Sequence, residues 1–165
     1  MIAFRRFLFV QVFLAWQGGF LFYAAVVVPT GTQVLGSSAA QGAITARVTD
    51  VLNVLGLFGL ALACLDVSLT HDPSGPRTAT RWWCWSVALV CQFFLFVFHQ
   101  LLDAFMDPGR TRVVIGPPFR PVHRAYLWVT TVQWFACVVL VWLSVRAWRA
   151  EDRAIERPRS DDRGP

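Results

Sequence analysis

Four apolar runs, separated by short polar segments, make up most of this chain. The first covers 7–28 and is interrupted only by Gln11, Gln17 and Tyr23. The others cover 51–69, 82–106 and 122–145. A helix needs roughly 20 mainly apolar residues to cross a bilayer, so each run predicts a transmembrane helix. Arg5 and Arg6 precede the first run as they would in a secretory signal. The run is too long for a signal's apolar core, and no small-residue cleavage site follows it, so it predicts a retained helix. Pro29 predicts its end. Residues 30–50 are rich in Gly, Ser, Ala and Thr and predict a loop, with a short helix from about Ser38. HDPSGPRTATR (71–81) predicts a turn. Asp107-Pro108-Gly109 and Pro117-Pro118 predict helix breaks at either end of a second external loop, 107–121. Residues 150–165 are charged and contain proline, which predicts a disordered tail. The expected fold class is all-α: one four-helix transmembrane bundle over 1–149, with antiparallel neighbours and short connections.

Composition agrees with that pattern. The chain is 56% hydrophobic and 15% charged, where soluble domains carry roughly 25% charged residues. With a mean hydropathy of +0.50, this excludes an ordinary soluble domain. All 15 basic residues are arginine, and the net charge is +5. Six of the arginines lie from Arg146 onward, where they fit a cytoplasmic tail and do not call for nucleic acid as a partner. With both termini inside, ten arginines (Arg5, Arg6, Arg77, Arg81 and those six) face the cytoplasm. Five (Arg47, Arg110, Arg112, Arg120, Arg124) face outward. The excess predicts both termini in the cytoplasm, as in a multi-pass protein of a bacterial cytoplasmic (inner) membrane. Cys64, Cys84, Cys91 and Cys137 fall in or beside apolar runs without CxxC spacing, and read as small buried apolar residues. Gly18 and Gly19 in the first run, and Gly56, Gly59, Ala61 and Ala63 in the second, predict faces where helices approach closely. Asp66, near the end of the second run, is expected to be an interfacial carboxylate that reaches water.

The candidate chemistry gathers where the third and fourth runs meet. His99 and Asp103 are four residues apart and share one helical face. The 17 residues from Trp82 to His99 span about 25 Å, which puts His99 near the outer edge of the hydrocarbon layer. His123 opens the fourth run at the same edge, with Tyr126, Thr130 and Gln133 successively deeper. A hairpin therefore levels Asp103 with His123 and His99 with Tyr126. Two imidazoles and a carboxylate can hold a divalent ion, with Tyr126 and Gln133 behind the ligands, and Met106 can add a thioether suited to copper. Two histidines can instead hold a haem, which ranks below a metal ion. A His–Asp pair can also relay protons. The same set can equally lock the hairpin through hydrogen bonds, because buried polar groups need partners. The chain shows no HExxH, CxxCH or His-rich tract, nor a nucleophile–base pair, which points away from an enzyme.

Two stretches carry a resemblance. GGFLFYAAVVVPTG (18–31) is a glycine-containing first helix ending at a proline, and FRPVHRAYL (119–127) opens the last helix with a Phe and a His. Together they resemble a broad group of four-helix bacterial membrane proteins that carry a domain of unknown function. More distantly they resemble the copper-resistance D (CopD) family. The second resemblance implies metal handling at the outer face, with His99 and His123 as the positions that carry it. Three expectations follow. The first is a non-enzymatic membrane protein with a metal or haem site formed by His99, Asp103 and His123. The second is an accessory subunit that docks onto other membrane subunits, or onto itself, through its small-residue faces. The third is a small oligomeric transporter.

Overall fold

The computed structural model describes residues 2–109, 111–114 and 116–156. It holds four long helices: α1 (Ile2–Leu35), α2 (Ser38–Leu69), α3 (Gly75–Asp103) and α4 (Phe119–Glu156). Each is long and apolar enough to cross a membrane. They run up and down in sequence, α1 packing on α2, α2 on α3 and α3 most extensively on α4. Arg6 pairs with Glu151 and Asp152, so the start of α1 and the end of α4 lie at one end, here the terminal end. The outer surface is apolar: Phe4, Leu14, Phe58, Trp83, Phe93, Trp128 and Phe135 are all exposed. Buried polar side chains sit inside instead. This inside-out distribution suits a protein whose solvent is hydrocarbon.

Every helix is longer than its apolar run. Pro29 does not end α1, which continues to Leu35 and stops at Gly36 in the left-handed conformation (φ 60°). Proline lacks an N–H, and its ring presses on the carbonyl four residues back. A wider π turn over Tyr23–Val27, just before the proline, accommodates both. In the expected loop 30–50 the helix foreseen from about Ser38 does form, but it is continuous with the second span, and α1 fills the loop's first part to Leu35. Ser37 caps α2 by accepting from the Ala40 N–H at 3.2 Å, and α2 then runs unbroken to Leu69. At the other side of the bundle, α3 starts at Gly75 because Pro76 falls in its first turn, where no N–H is needed. α4 continues to Glu156 through part of the expected tail. Ala, Arg and Glu are good helix formers, and Ser144, Ala147, Trp148 and Glu151 extend its buried face. Residues 157–165 of that tail lie outside the described residues.

The terminal half is solid. Phe9, Phe13 and Trp16 of α1 pack with Leu60, Ala63 and Val67 of α2, Ala88 of α3, and Cys137, Leu140 and Trp148 of α4. A methyl group on Gly59 would come within 2.9 Å of the Trp16 ring, so the small-residue face of α2 is a true close approach. At Gly18, by contrast, a methyl would meet nothing within 4 Å among the described residues. Asp66 corrects an expectation: it is fully buried and does not reach water. Arg81 reaches it at 2.7 Å and is itself fully buried. The Trp148 indole N–H donates to both carboxylate oxygens at 3.0 and 3.1 Å. Arg5 lies 3.4 Å away and also donates to Thr70. Arg81 Nε donates to Ser144 at 3.3 Å. One carboxylate thus ties all four helices together. Nearby, Glu151 receives Arg6 at 2.7 Å and the backbone N–H of His71 at 2.9 Å, and Asp72 pairs with Arg77 within the turn.

At the far end the connection between α3 and α4 folds back over the bundle. Met106 and Val113 form an antiparallel bridge. The Val113 N–H reaches the Ala39 carbonyl at 3.0 Å, and a methyl on Gly42 would collide with the Val113 side chain at 2.6 Å. The Asp107 carboxylate closes this loop by accepting from the Arg112 N–H and from the N–H and hydroxyl of Thr111. The Arg112 backbone N–H, followed by the Thr111 hydroxyl, holds the Asp107 carboxyl below its usual value.

Two outcomes are expected. Breaking the buried pair by Asp66→Ala destabilises the bundle by about 3–5 kcal/mol, because it strands the buried Arg81 charge, and Arg81→Met costs less, because Arg5 and Trp148 still serve Asp66. The double variant loses less than the sum, as read by a denaturation cycle in mixed micelles. The folded Asp107 carboxyl has the lower pKa, so its contribution is complete above the ordinary carboxylate range and disappears as pH falls through the folded value. Protection factors of the Thr111 and Arg112 amides therefore drop between pH 6 and pH 2.5 in the native protein and stay flat in Asp107→Asn.

Candidate functional site

The far half is hollow. A cavity of about 440 Å³ lies between the helices, walled by all four of them. α1 and α4 meet at the terminal end, where Phe9 packs edge-on against Trp148. Beyond that point α1 packs on α2 and not extensively on α4. Two π turns, Leu14–Gly18 and Tyr23–Val27, widen α1 along this wall and contribute Trp16, Gln17, Tyr23 and Ala24 to the lining. π turns recur at functional sites because they re-aim side chains and carbonyls.

All five residues expected at the site line this one cavity: His99, Asp103, His123, Tyr126 and Gln133. Met106 does too. Their immediate partners differ from the expected ones. His99 is nearly buried, and its Nε2 lies 2.6 Å from Asp50 on α2. With the Nε2–H donating to that carboxylate, a neutral His99 keeps Nδ1 as an acceptor. The Asp50 side chain is 55% exposed, so solvent screens this pair. His123 stacks on Phe119 with ring centroids 5.3 Å apart, and Phe119 meets Phe105 edge-on. Among the described residues no three His, Cys, Asp or Glu side chains are grouped as a metal ion would need them.

The floor is a polar layer between the solid and hollow halves. Gln133 of α4 donates to Gln92 of α3 at 3.0 Å and to the Ala88 carbonyl at 3.2 Å. Gln92 in turn reaches the Asn53 carbonyl of α2 at 3.4 Å. Tyr126 is buried above this layer, beside the side chains of Asn53, Thr130 and Thr49. On the α1–α2 side, Gln41 donates to the Tyr23 hydroxyl at 3.2 Å, and that hydroxyl to Thr45 at 3.1 Å. Gly31 makes this approach possible, since a methyl there would overlap the Gln41 amide.

Sequence reasoning missed the α2 wall. Gln41, Thr45, Thr49 and Asn53 recur every four residues, which puts them on one helical face. All four line the cavity. That spacing is the signal that could have found them. It was hidden because the stretch is polar and small, and so has the composition of a loop. Asp50 belongs to the same helix, and its pairing with His99 depends on α2 starting as early as Ser38.

In comparisons with protein-family models, curated proteins and solved structures, nothing matches this chain.

Proposed function

We propose that this is a multi-pass membrane protein that holds a small amphipathic molecule in the cavity of its far half, with both termini in the cytoplasm and the cavity toward the outer leaflet. The cavity carries this reading. Its volume of about 440 Å³ lies in the range of ligand sites, roughly 300–1,000 Å³. Its walls are mainly apolar and aromatic, with polar groups converging from all four helices, which is the usual makeup of such sites. Protein interiors are otherwise close-packed, and the terminal half of this bundle is. An apolar body fits against Phe20, Leu52, Leu95 and Leu127, and a polar end fits against Tyr126 and His99. A second reading follows from His99, His123, Asp103 and Met106 sharing the lining. A divalent or copper ion bound there would draw these side chains together. The excess of arginines at the terminal end supports the proposed orientation.

Solvent extracts of the purified protein, compared by mass spectrometry with extracts of Thr49→Trp, test the main reading. Thr49 lines the cavity, and an indole there fills much of it. Wild type carries one amphipathic species enriched about tenfold or more over the variant, and both unfold at similar temperatures. Equal extracts from two folded proteins would sink the reading. Elemental analysis of the same samples decides on the ion, which is expected at near one per chain if the second reading holds. Orientation is read separately in a cysteine-free background. A cysteine at Gly109 reacts with an impermeant maleimide on intact cells, and one at Gly75 reacts only after permeabilisation. The reverse pattern would invert the topology.

A further inference from the structure

The polar groups around the cavity are unbalanced. Most are already engaged: the Gln133 amide donates twice, Gln92 accepts from it, and Asp50 is taken by His99. Two donors are left over. Asn53 Nδ2 and Trp134 Nε1 are buried and have no hydrogen-bond partner among the described residues. Asn53 is only 4% exposed. The Tyr126 hydroxyl oxygen lies beside it and can take one of its two N–H groups, which leaves the other without an acceptor among the described residues. Both residues line the cavity. A buried N–H left unpaired is costly, and native structures seldom keep one without a reason. Two of them on one cavity, from α2 and α4, ask for an acceptor that an occupant supplies.

The kind of acceptor can be narrowed. Asp103 lines the same cavity, and Asp50 abuts it through His99. Their charge opposes a carboxylate or phosphate. A hydroxyl group would bring a donor of its own as well as an acceptor. A carbonyl oxygen brings acceptor capacity alone, with two lone pairs. Resting on the reading of the cavity as a small-molecule site, we propose that its ligand is a lipid-soluble carbonyl compound, a ketone, quinone or ester, whose oxygens accept from Asn53 Nδ2 and Trp134 Nε1. The apolar remainder of the ligand packs against the leucine and aromatic walls. Such a molecule reaches the cavity from the bilayer, on the side where α1 and α4 do not pack extensively.

The test uses full-length protein in lipid nanodiscs and two probes matched in chain length, decyl-substituted benzoquinone and decylbenzene. Retention is measured against empty discs, so partition into lipid cancels. Wild type retains the quinone about tenfold better than the hydrocarbon, the ratio expected of neutral hydrogen bonds in a desolvated site. Trp134→Phe keeps an aromatic ring while removing the N–H with the rest of the pyrrole ring, and Asn53→Leu keeps the size and removes the amide. Each brings quinone retention down toward that of decylbenzene without changing decylbenzene itself. Trp134→Phe leaves an aromatic side chain in place, so it gives a result even if Asn53→Leu does not fold. Equal retention of the two probes by wild type, or unchanged quinone retention in Trp134→Phe and folded Asn53→Leu, would overturn the carbonyl assignment and leave the cavity as a site for some other molecule. Retention of neither probe above empty discs would overturn the assignment and the small-molecule reading together.

Discussion

The buried carboxylate of Asp66 is the constraint on which the bundle depends. Moving a charge into an apolar interior is expensive unless it is paired and hydrogen-bonded, and in hydrocarbon no water can make up a shortfall. Asp66 is satisfied only when α1 brings Arg5, α3 brings Arg81 and α4 brings Trp148. Such a pair adds little net stability over well-packed apolar residues. Its effect is to discriminate. Sliding α2 or α3 by a turn strands a buried charge, and displacing α1 or α4 removes a donor from Asp66. Apolar side chains alone could not impose this, since lipid tails are as apolar as the leucines they would replace.

Fixing one end has a consequence for the other. About 16 residues, or roughly 24 Å of helix, separate Asp66 from Asp50. The ion pair, the aromatic core around Trp16 and the glutamine layer of Gln92 and Gln133 hold the helices in register up to about the middle of that distance. Past the glutamines the same helices can separate without losing their alignment. The loop through Val113 spans the opening and is tied back to α2 at Ala39 and Gly42. A hollow half is therefore tolerated because the solid half sets the geometry.

The number of helices and their antiparallel order were legible in the sequence, because each depends on counts along one chain: the length of the apolar runs and of the segments between them. His99, Asp103, His123, Tyr126 and Gln133 were placed near one another on that basis, and they line one cavity. What the sequence hid depends on contacts between chain segments far apart. Asp66 looks interfacial until α4 is seen to reach Trp148 and α1 to begin before Arg5. Arg81 looks like a loop arginine until Pro76 is seen to open α3 instead of closing a turn. Pro29 reads as a helix end unless a π turn precedes it, and nothing in the local composition announces that turn. The stretch 38–50 reads as a loop holding only a short helix because its inward face is polar, and that face is polar because it borders the cavity.

That last point links the misread segment to the site. A helix facing a packed apolar core shows an apolar stripe, and periodicity finds it. A helix that supplies the polar side of a cavity inside a membrane shows the reverse: small and polar residues inward, apolar ones toward lipid. On α2 the inward set runs Gln41, Thr45, Thr49, Asn53 before giving way to Gly56, Leu60 and Ala63 against the core. The change of character falls at the level of the glutamine layer, where Gly56 lies against both Gln92 and Trp16. One helix thus records both halves of the molecule in its sequence. The place where its inward face turns from hydrogen-bonding to small and apolar marks the floor of the cavity, and Asn53, the last polar residue before that change, carries one of the two buried cavity donors that lack a full set of acceptors among the described residues.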